Sequence, residues 1–158
     1  MSELCYFDYA ATTPVRPEAA RAMMETMGQF GNPSSRYPWG RQAAERVKGY
    51  RETAARALGC APGEVYFTSC GTESDNWAIR KGVELNRRKG KHIVTTAIEH
   101  AAVLETCREL EGQGYEVTYL KPDKTGRITA EAAAAALRPD TALVSMMLVN
   151  NEVGSVLP

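Results

Sequence analysis

The stretch of sequence that decides the fold is Glu64–Asn76, EVYFTSCGTESDN. Its apolar beginning predicts a short buried strand at Val65–Thr68, and the residues from about Thr72 to Arg87 predict a helix that a glycine-containing turn joins to this strand. The first amides of a helix have no intrahelical partner, and the helix dipole is positive at that end. Gly71 and Thr72 are therefore candidates for binding a phosphate group through backbone N–H groups and the Thr72 hydroxyl.

Helices and strands alternate along the rest of the chain. Apolar residues at helical spacing, bounded by Pro, Gly or a capping Thr, predict four more helices: Pro17–Met27, about Gly40–Leu58, one with the stripe Val103–Leu110, and Ala130–Leu137. Strand-like apolar runs predict three more strands: His92–Thr96, Tyr115–Leu120 and Ala142–Met147, the last buried on both faces. Gly31–Ser35 predicts a loop. This order predicts an α/β fold with a mostly parallel sheet and flanking helices.

Composition excludes several classes of protein. The chain has 158 residues, 44% of them hydrophobic, which suits one compact globular unit with a real core. Lys plus Arg and Asp plus Glu number 19 each and are dispersed, so neither nucleic acid nor an anionic membrane is the expected partner. No apolar run is long enough to span a bilayer, and the N-terminus lacks the pattern of a signal peptide. We therefore expect a cytoplasmic protein.

The cysteines and histidines do not form a metal-binding pattern. The four cysteines are widely spaced, with no C-x-x-C pair, and the chain has only two histidines, so we expect neither a metal site nor a disulfide framework. Small apolar packing roles are predicted for Cys5, Cys60 and Cys107. Cys70 lies beside a helix N-terminus, where a thiol can become reactive, although a packing role is favoured there too.

Polar residues follow three of the predicted strands. They are Ser69–Thr72, Glu99-His100 and Asn150-Asn151-Glu152. Ligands of parallel α/β sheets bind beyond the carboxyl ends of the strands, so these groups are expected to converge on one crevice. Each also has a purely structural interpretation: a capping turn, a helix cap at His100, and turn residues at Asn150-Asn151. Neither a Walker motif nor a G-x-G-x-x-G fingerprint occurs, which disfavours nucleoside triphosphates and dinucleotides.

Six segments in order give the chain a family resemblance. They are Tyr6–Pro14 (YFDYAATTP), Gly31–Ser35 (GNPSS), Phe67–Asn76 (FTSCGTESDN), Ile98–His100 (IEH), Gly114–Leu120 (GYEVTYL) and Val149–Gly154 (VNNEVG). With these motifs the chain resembles, over essentially its whole length, the N-terminal part of a cysteine desulfurase of the NifS/IscS type. These enzymes belong to the class V aminotransferase superfamily.

The resemblance implies a fold-type-I enzyme that uses pyridoxal 5′-phosphate. Residues 1–158 would be the N-terminal arm and the first part of the cofactor-binding large domain. Such enzymes convert L-cysteine to L-alanine and an enzyme-bound persulfide, whose sulfur passes to an iron–sulfur scaffold or another acceptor protein. Gly71 and Thr72 match positions that bind the cofactor phosphate, His100 a catalytic imidazole that stacks on the ring, and Asn151 an amide that hydrogen-bonds its phenolic oxygen. A homodimer or higher oligomer is also implied.

The resemblance also implies what residues 1–158 do not contain. The family's cofactor-binding lysine, the carboxylate partner of the pyridine nitrogen, the persulfide-forming cysteine and the substrate-binding arginine all match positions beyond Pro158. We therefore expect weak cofactor binding and no desulfurase activity from these residues alone. Strands later in the family's chain would separate Val65–Thr68 from the other three, so without them we expect exposed edges, a rearranged sheet or association.

The chain departs from the family's sequence pattern at two positions, and two alternative functions stay open. Cys70 stands where the family commonly has glycine, and Tyr37 where many members have histidine. One alternative is another class V enzyme, such as a selenocysteine lyase, and the other is a non-enzymatic dimerisation or regulatory module.

Overall fold

The computed structural model describes residues 5–158, so the first four residues of the predicted arm lie outside the described residues. The chain divides into two compact units. The first ends at Phe67, and the second begins at Thr68. We call residues 5–67 the helical unit and Thr68–Pro158 the sheet unit. The single compact unit expected from the length is therefore wrong.

The helical unit consists of two helices and a short 3-10 turn. They are α1 (Pro17–Met27), α2 (Pro38–Leu58) and the turn Pro62–Glu64. Each helix has a proline in its first turn, where the missing N–H would have no intrahelical acceptor. Helix α2 ends at Gly59, whose φ of 71° is in the left-handed region that glycine adopts without a steric penalty.

The predicted loop Gly31–Ser35 is confirmed, and it packs against the start of α2. A Cβ atom added at Gly40 would lie 2.3 Å from the carbonyl oxygen of Ser35, which is closer than atoms can approach. The Asn32 carbonyl oxygen accepts from the Ser35 amide at 2.9 Å, and Asn32 Oδ1 accepts from the Ser34 amide at the same distance. Gly40 therefore allows this loop to lie directly on the helix backbone.

The sheet unit alternates helices and strands as predicted. Its elements are α3 (Gly71–Leu85), β1 (His92–Thr96), α4 (Ala101–Gly112), β2 (Glu116–Leu120), α5 (Ala130–Ala135) and β3 (Thr141–Ser145). The three strands form a parallel sheet in the order β2-β1-β3, with Val94 paired to Thr118 on one side and Val144 on the other. This confirms the predicted parallel α/β architecture.

The core of the sheet unit lies between β1 and helices α3 and α4. Its buried members are Ile79, Val83, Ile93, Val103, Cys107 and Leu110. A Cβ atom at Gly82 would lie only 2.9 Å from Cδ1 of Leu143, so the missing side chain lets α3 approach β3 closely. The carboxyl ends of all three strands point to one edge of the sheet, because the strands are parallel.

Two strand predictions are wrong. Val65–Thr68 is not a strand, since it pairs with no strand among residues 5–158. Strand β3 is not buried on both faces, because Val144 is 44% exposed. Both errors have one physical cause. Apolar residues identify a strand in the sequence, but its pairing and burial depend on neighbouring strands. Strand β3 lies at the edge of the sheet and has a neighbour on one side only.

The cysteine predictions are confirmed at one position. Cys107 is fully buried in the core of the sheet unit. Cys60 is half-buried. Cys5 and Cys70 are exposed, so the predicted packing role is wrong for these two cysteines.

Candidate functional site

The turn before α3 is held by its own side chains. Glu73 Oε2 accepts hydrogen bonds from the Ser69 amide at 2.6 Å and the Ser69 hydroxyl at 2.7 Å. The hydroxyls of Thr68 and Ser74 lie 2.7 Å apart across the same turn. These contacts fix the direction in which the chain enters the helix at Gly71.

Two ionisable groups at the start of α3, Glu73 and Cys70, have pKa values shifted in favour of their charged forms. The Ser69 amide, and then the Ser69 hydroxyl, hold the pKa of the Glu73 carboxyl below its usual value. The pKa of the Cys70 thiol is also lowered, first by the backbone amide of Glu73 and then by the Ser69 hydroxyl, whose Oγ lies 3.8 Å from Sγ. The helix start thus already stabilises negative charge, as the exposed amides of a helix N-terminus do.

The same turn leaves room and donors for an external anion. Among residues 5–158 the Gly71 amide has no acceptor, whereas the Thr72 amide and hydroxyl interact with the Cys70 thiol and contribute to its lowered pKa. A Cβ atom added at Gly71 would meet no other group within 4 Å, so the space beside it is open. This donor set suits a phosphate group, which binds at helix N-termini through such amides.

His100 follows β1 and caps the next helix. Its Nδ1 accepts a hydrogen bond from the Ala102 amide at 3.1 Å, so the neutral ring carries its proton on Nε2. Nε2 has no hydrogen-bond partner in residues 5–158, and the side chain is exposed. The helix-cap interpretation of His100 is therefore correct, and it leaves Nε2–H of an exposed ring available to a ligand.

Asn151 lies in the turn that follows β3. Its Nδ2 donates to Glu152 Oε1 at 3.0 Å, and the side chain is exposed. The turn is closed by the Asn150 carbonyl oxygen, which accepts from the Gly154 amide, and by the Ser155 carbonyl oxygen, which accepts from the Asn150 amide, both at 2.9 Å. The turn interpretation of Asn150-Asn151 is thus correct, and Asn151 is presented at its tip.

The structure brings two of the three predicted groups together. Asn150 Nδ2 donates to the Ile98 carbonyl oxygen at 2.9 Å, and Glu99 Oε1 accepts from the Met147 amide at the same distance. These bonds join the loop after β1, which carries His100, to the loop after β3. No hydrogen bond or ion pair within residues 5–158 joins either loop to the Gly71 turn, so the convergence of all three stays a prediction.

Sequence reasoning named Glu99 and Asn150 as polar residues at strand ends but did not assign them a role. Both are buried, with 8% and 3% of their surface exposed, whereas the next residue along the chain is exposed in each case. A polar pair at a strand end was the available signal. The sequence does not reveal which member of each pair turns inward.

The part of the chain that the structure describes contains neither a cluster of metal ligands nor a membrane-spanning helix. Residues 5–158 contain no group of three or more His, Cys, Asp or Glu side chains placed to hold a metal ion. Within the same residues, no helix combines the length and the apolar character needed to cross a bilayer.

Comparisons with known proteins identify the family. The Aminotransferase class-V family matches residues 5–158. Cysteine desulfurase IscS of Methanosarcina thermophila is 53% identical over 154 residues, which are 97% of this chain and 38% of that protein. A solved NifS-like protein is 40% identical, with a TM-score of 0.90, over 97% of this chain and 42% of its own. A structure of SspA in complex with cysteine is also 40% identical, with a TM-score of 0.88, over 97% of this chain and 44% of its own.

The chain therefore spans about two fifths of the length of these relatives. It belongs to the class-V aminotransferase family, and its sequence and fold are similar to the N-terminal part of cysteine desulfurases.

Proposed function

We propose that this chain is the N-terminal portion of a pyridoxal 5′-phosphate-dependent cysteine desulfurase and supplies one wall of its cofactor site. The single observation that carries the proposal is the start of α3, where the Gly71 amide has no acceptor among residues 5–158 and the space beside Gly71 is open. The substrate would be L-cysteine. The products would be L-alanine and a persulfide for an iron–sulfur scaffold or another acceptor protein, made by a homodimer or higher oligomer.

Each site residue would act on a different part of the cofactor. The amides of Gly71 and Thr72 would hold the phosphate, together with the Thr72 hydroxyl. The exposed face of His100 would stack on the ring, and its Nε2–H would hold a proton for transfer. The Asn151 amide would orient the ring through its phenolic oxygen. When bound, the cofactor supplies an electron sink for the bond being broken.

The topology supports placing these groups at one edge of the sheet. Helix α3 leads into β1 through the short connection of residues 86–91 and packs against β3 at Gly82. A helix with so short a connection to the following strand runs antiparallel to it. The start of α3 is then directed toward the carboxyl edge, where the loops that carry His100 and Asn151 begin.

Residues 1–158 alone are proposed to lack desulfurase activity. The lysine, cysteine and arginine motifs of the family match no position in this part of the sequence. Without a lysine bonded to the cofactor, pyridoxal 5′-phosphate binds only through the contacts described above, and binding is weak. Incubating the chain with the cofactor and L-cysteine should release no alanine above a cofactor-only control. Sustained alanine release, with borohydride fixing the cofactor onto one lysine, would contradict this.

The phosphate site is best tested with pyridoxine 5′-phosphate. This compound has the ring, the phenolic oxygen and the phosphate, but no aldehyde to react with surface lysines. We expect Gly71→Pro to weaken its binding at least about tenfold in equilibrium dialysis, because proline removes one donor while it suits the first position of a helix. Cys70 has the extended backbone that a residue before proline requires.

A matched variant controls for the proline itself. Ala130 is the first residue of α5 and follows an extended Thr129, so Ala130→Pro makes the same change at another helix start in the sheet unit. It should leave binding unchanged. Equal binding by Gly71→Pro and wild type would refute the phosphate site, as would equal binding of pyridoxine with and without its phosphate.

A further inference from the structure

We propose that Glu99 and Asn150 are positioning residues that lock the loop after β1 to the loop after β3 and so set where His100 and Asn151 stand. We call these two buried residues the loop clasp. The inference deepens the proposed function, and the effect of the clasp on cofactor binding rests on that function. The hydrogen bonds that form the clasp do not depend on it.

Glu99 forms the first half of the clasp. Its Oε1 accepts from the Thr96 hydroxyl at 2.7 Å, at the end of β1, and from the Met147 amide at 2.9 Å, just beyond β3. Burying a carboxyl group is costly unless donors compensate for the lost water, and these two bonds are the compensation. Removing the carboxyl group would leave the Met147 amide without its acceptor.

Asn150 forms the second half and reaches in the opposite direction. Its Nδ2 donates to the Ile98 carbonyl oxygen at 2.9 Å, while its Oδ1 accepts from the amides of Glu152 and Val153, both at 2.9 Å. One end of the side chain therefore holds the neighbouring loop, and the other end shapes its own turn.

Together the two residues bond each loop to the other. Glu99 ties the β1 loop to backbone after β3, and Asn150 ties the β3 loop to backbone before Glu99. Two crossed bonds from buried side chains to half-buried backbone allow much less sliding than one. The exposed residues that follow, His100 and Asn151, are then held in a fixed relation to one another through the backbone. A site of this kind needs such a supporting layer, because small displacements of the binding groups weaken binding.

The clasp predicts different effects for two changes at the same residue. Glu99→Ala removes the acceptor, whereas Glu99→Gln keeps an oxygen that can accept both bonds. In the full chain, Glu99→Ala should raise the exchange rate of the Met147 amide at least about tenfold and shift the NMR signals of the His100 ring and the Asn151 side chain. It should also weaken pyridoxine 5′-phosphate binding about tenfold. Glu99→Gln should restore most of each property.

A control separates the clasp from a general loss of negative charge. Glu105 lies on α4, is exposed, and pairs only with Arg108 among residues 5–158. Glu105→Ala should change neither the Met147 exchange rate nor the His100 and Asn151 signals. If Glu99→Ala does not fold, Asn150→Asp tests the other half of the clasp, because it removes the donor to the Ile98 carbonyl oxygen and keeps the Oδ1 acceptor; it should shift the His100 and Asn151 signals.

The outcomes distinguish this inference from the proposed function. Unchanged His100 and Asn151 signals in folded Glu99→Ala would overturn the clasp, as would equal effects of the Ala and Gln variants. If wild type does not bind pyridoxine 5′-phosphate, the proposed function fails, while amide exchange and the NMR signals still decide whether the clasp exists.

Discussion

The helical unit and the sheet unit use similar residues to very different effect. In the sheet unit, Ile93 and Cys107 are fully buried in a core that two helices cover. In the helical unit, large apolar side chains of α1 and its flanks are exposed; Phe7 is 91% exposed and Met24 70% exposed. The difference lies in the sheet. Strands that pair give helices a surface to pack against, and Val65–Thr68, which would bring the helical unit a strand, pairs with none among residues 5–158.

Apolar exposure on this scale is typical of surfaces that bind another protein surface. The sheet unit therefore has a core of its own, although Leu85 and Leu148 on its surface are 81% and 73% exposed, whereas helix α1 of the helical unit has no buried residue. Four experiments test this contrast and the interactions behind it.

The largest expected effect comes from truncating one apolar side chain in each unit. Ile93→Ala should lower the free energy of unfolding of the sheet unit by about 2–5 kcal/mol, because it leaves a cavity in the core. Met24→Ala should change the stability of the helical unit by no more than about 0.5 kcal/mol. Urea unfolding would be followed by Trp77 fluorescence for the first variant and Trp39 fluorescence for the second. A large loss for Met24→Ala would mean that another surface covers α1 in solution, and sedimentation would show whether that surface is a second copy.

The next effect concerns a histidine that joins all three strands. His92 is fully buried, with Nδ1 2.8 Å from the Thr141 hydroxyl on β3 and Nε2 2.8 Å from the Thr118 hydroxyl on β2. His92→Phe keeps much of the volume but removes both bonds, so we expect a loss of about 1–3 kcal/mol in chemical unfolding.

A double variant shows whether the His92 bonds cause that loss. With Thr118→Val added, the combined loss should be smaller than the sum of the two single losses, because both changes break the same bond. Fully additive losses would assign the effect of His92→Phe to packing.

A smaller effect should depend on pH. Arg138 donates to Glu116 at the start of β2 and to Asp140 just before β3, the latter at 2.8 Å. These hydrogen bonds are the main reason that the pKa of each carboxyl group lies below its usual value. A lowered pKa in the folded state adds stability above the unfolded-state pKa, and that stability is lost as the pH falls through the folded-state pKa.

Arg138→Gln should therefore unfold slightly more easily than wild type at neutral pH. The difference should shrink as the pH falls below about 4, where both carboxyl groups become protonated. Thermal unfolding across this range would measure it, with Arg21→Gln, which removes an exposed pair with Glu18, as the control. A constant difference at every pH would rule out ionisation of these carboxyl groups as its source.

The sequence predicted the helices, three strands and their parallel orientation, because periodicity and Gly or Pro boundaries are local properties. It could not predict that Val65–Thr68 would lack a partner or that β3 would be half exposed, because strand pairing depends on residues far apart in the chain. At the site, the strand-end rule found the two loops. The inward direction of Glu99 and Asn150 was missed because it depends on backbone atoms of the neighbouring loop. His92 was missed for the same reason, since its partners lie on two other strands.

The central claim is that one ligand contacts the start of α3 and both loops. Titration of the isotope-labelled chain with pyridoxine 5′-phosphate, observed by NMR, tests it most directly. The amide signals of Gly71 and Thr72, the His100 ring and the Asn151 side chain should all shift along one binding curve, while those of α5 should not. Saturable binding that shifts the Gly71 and Thr72 amides but leaves His100 and Asn151 unchanged would contradict it.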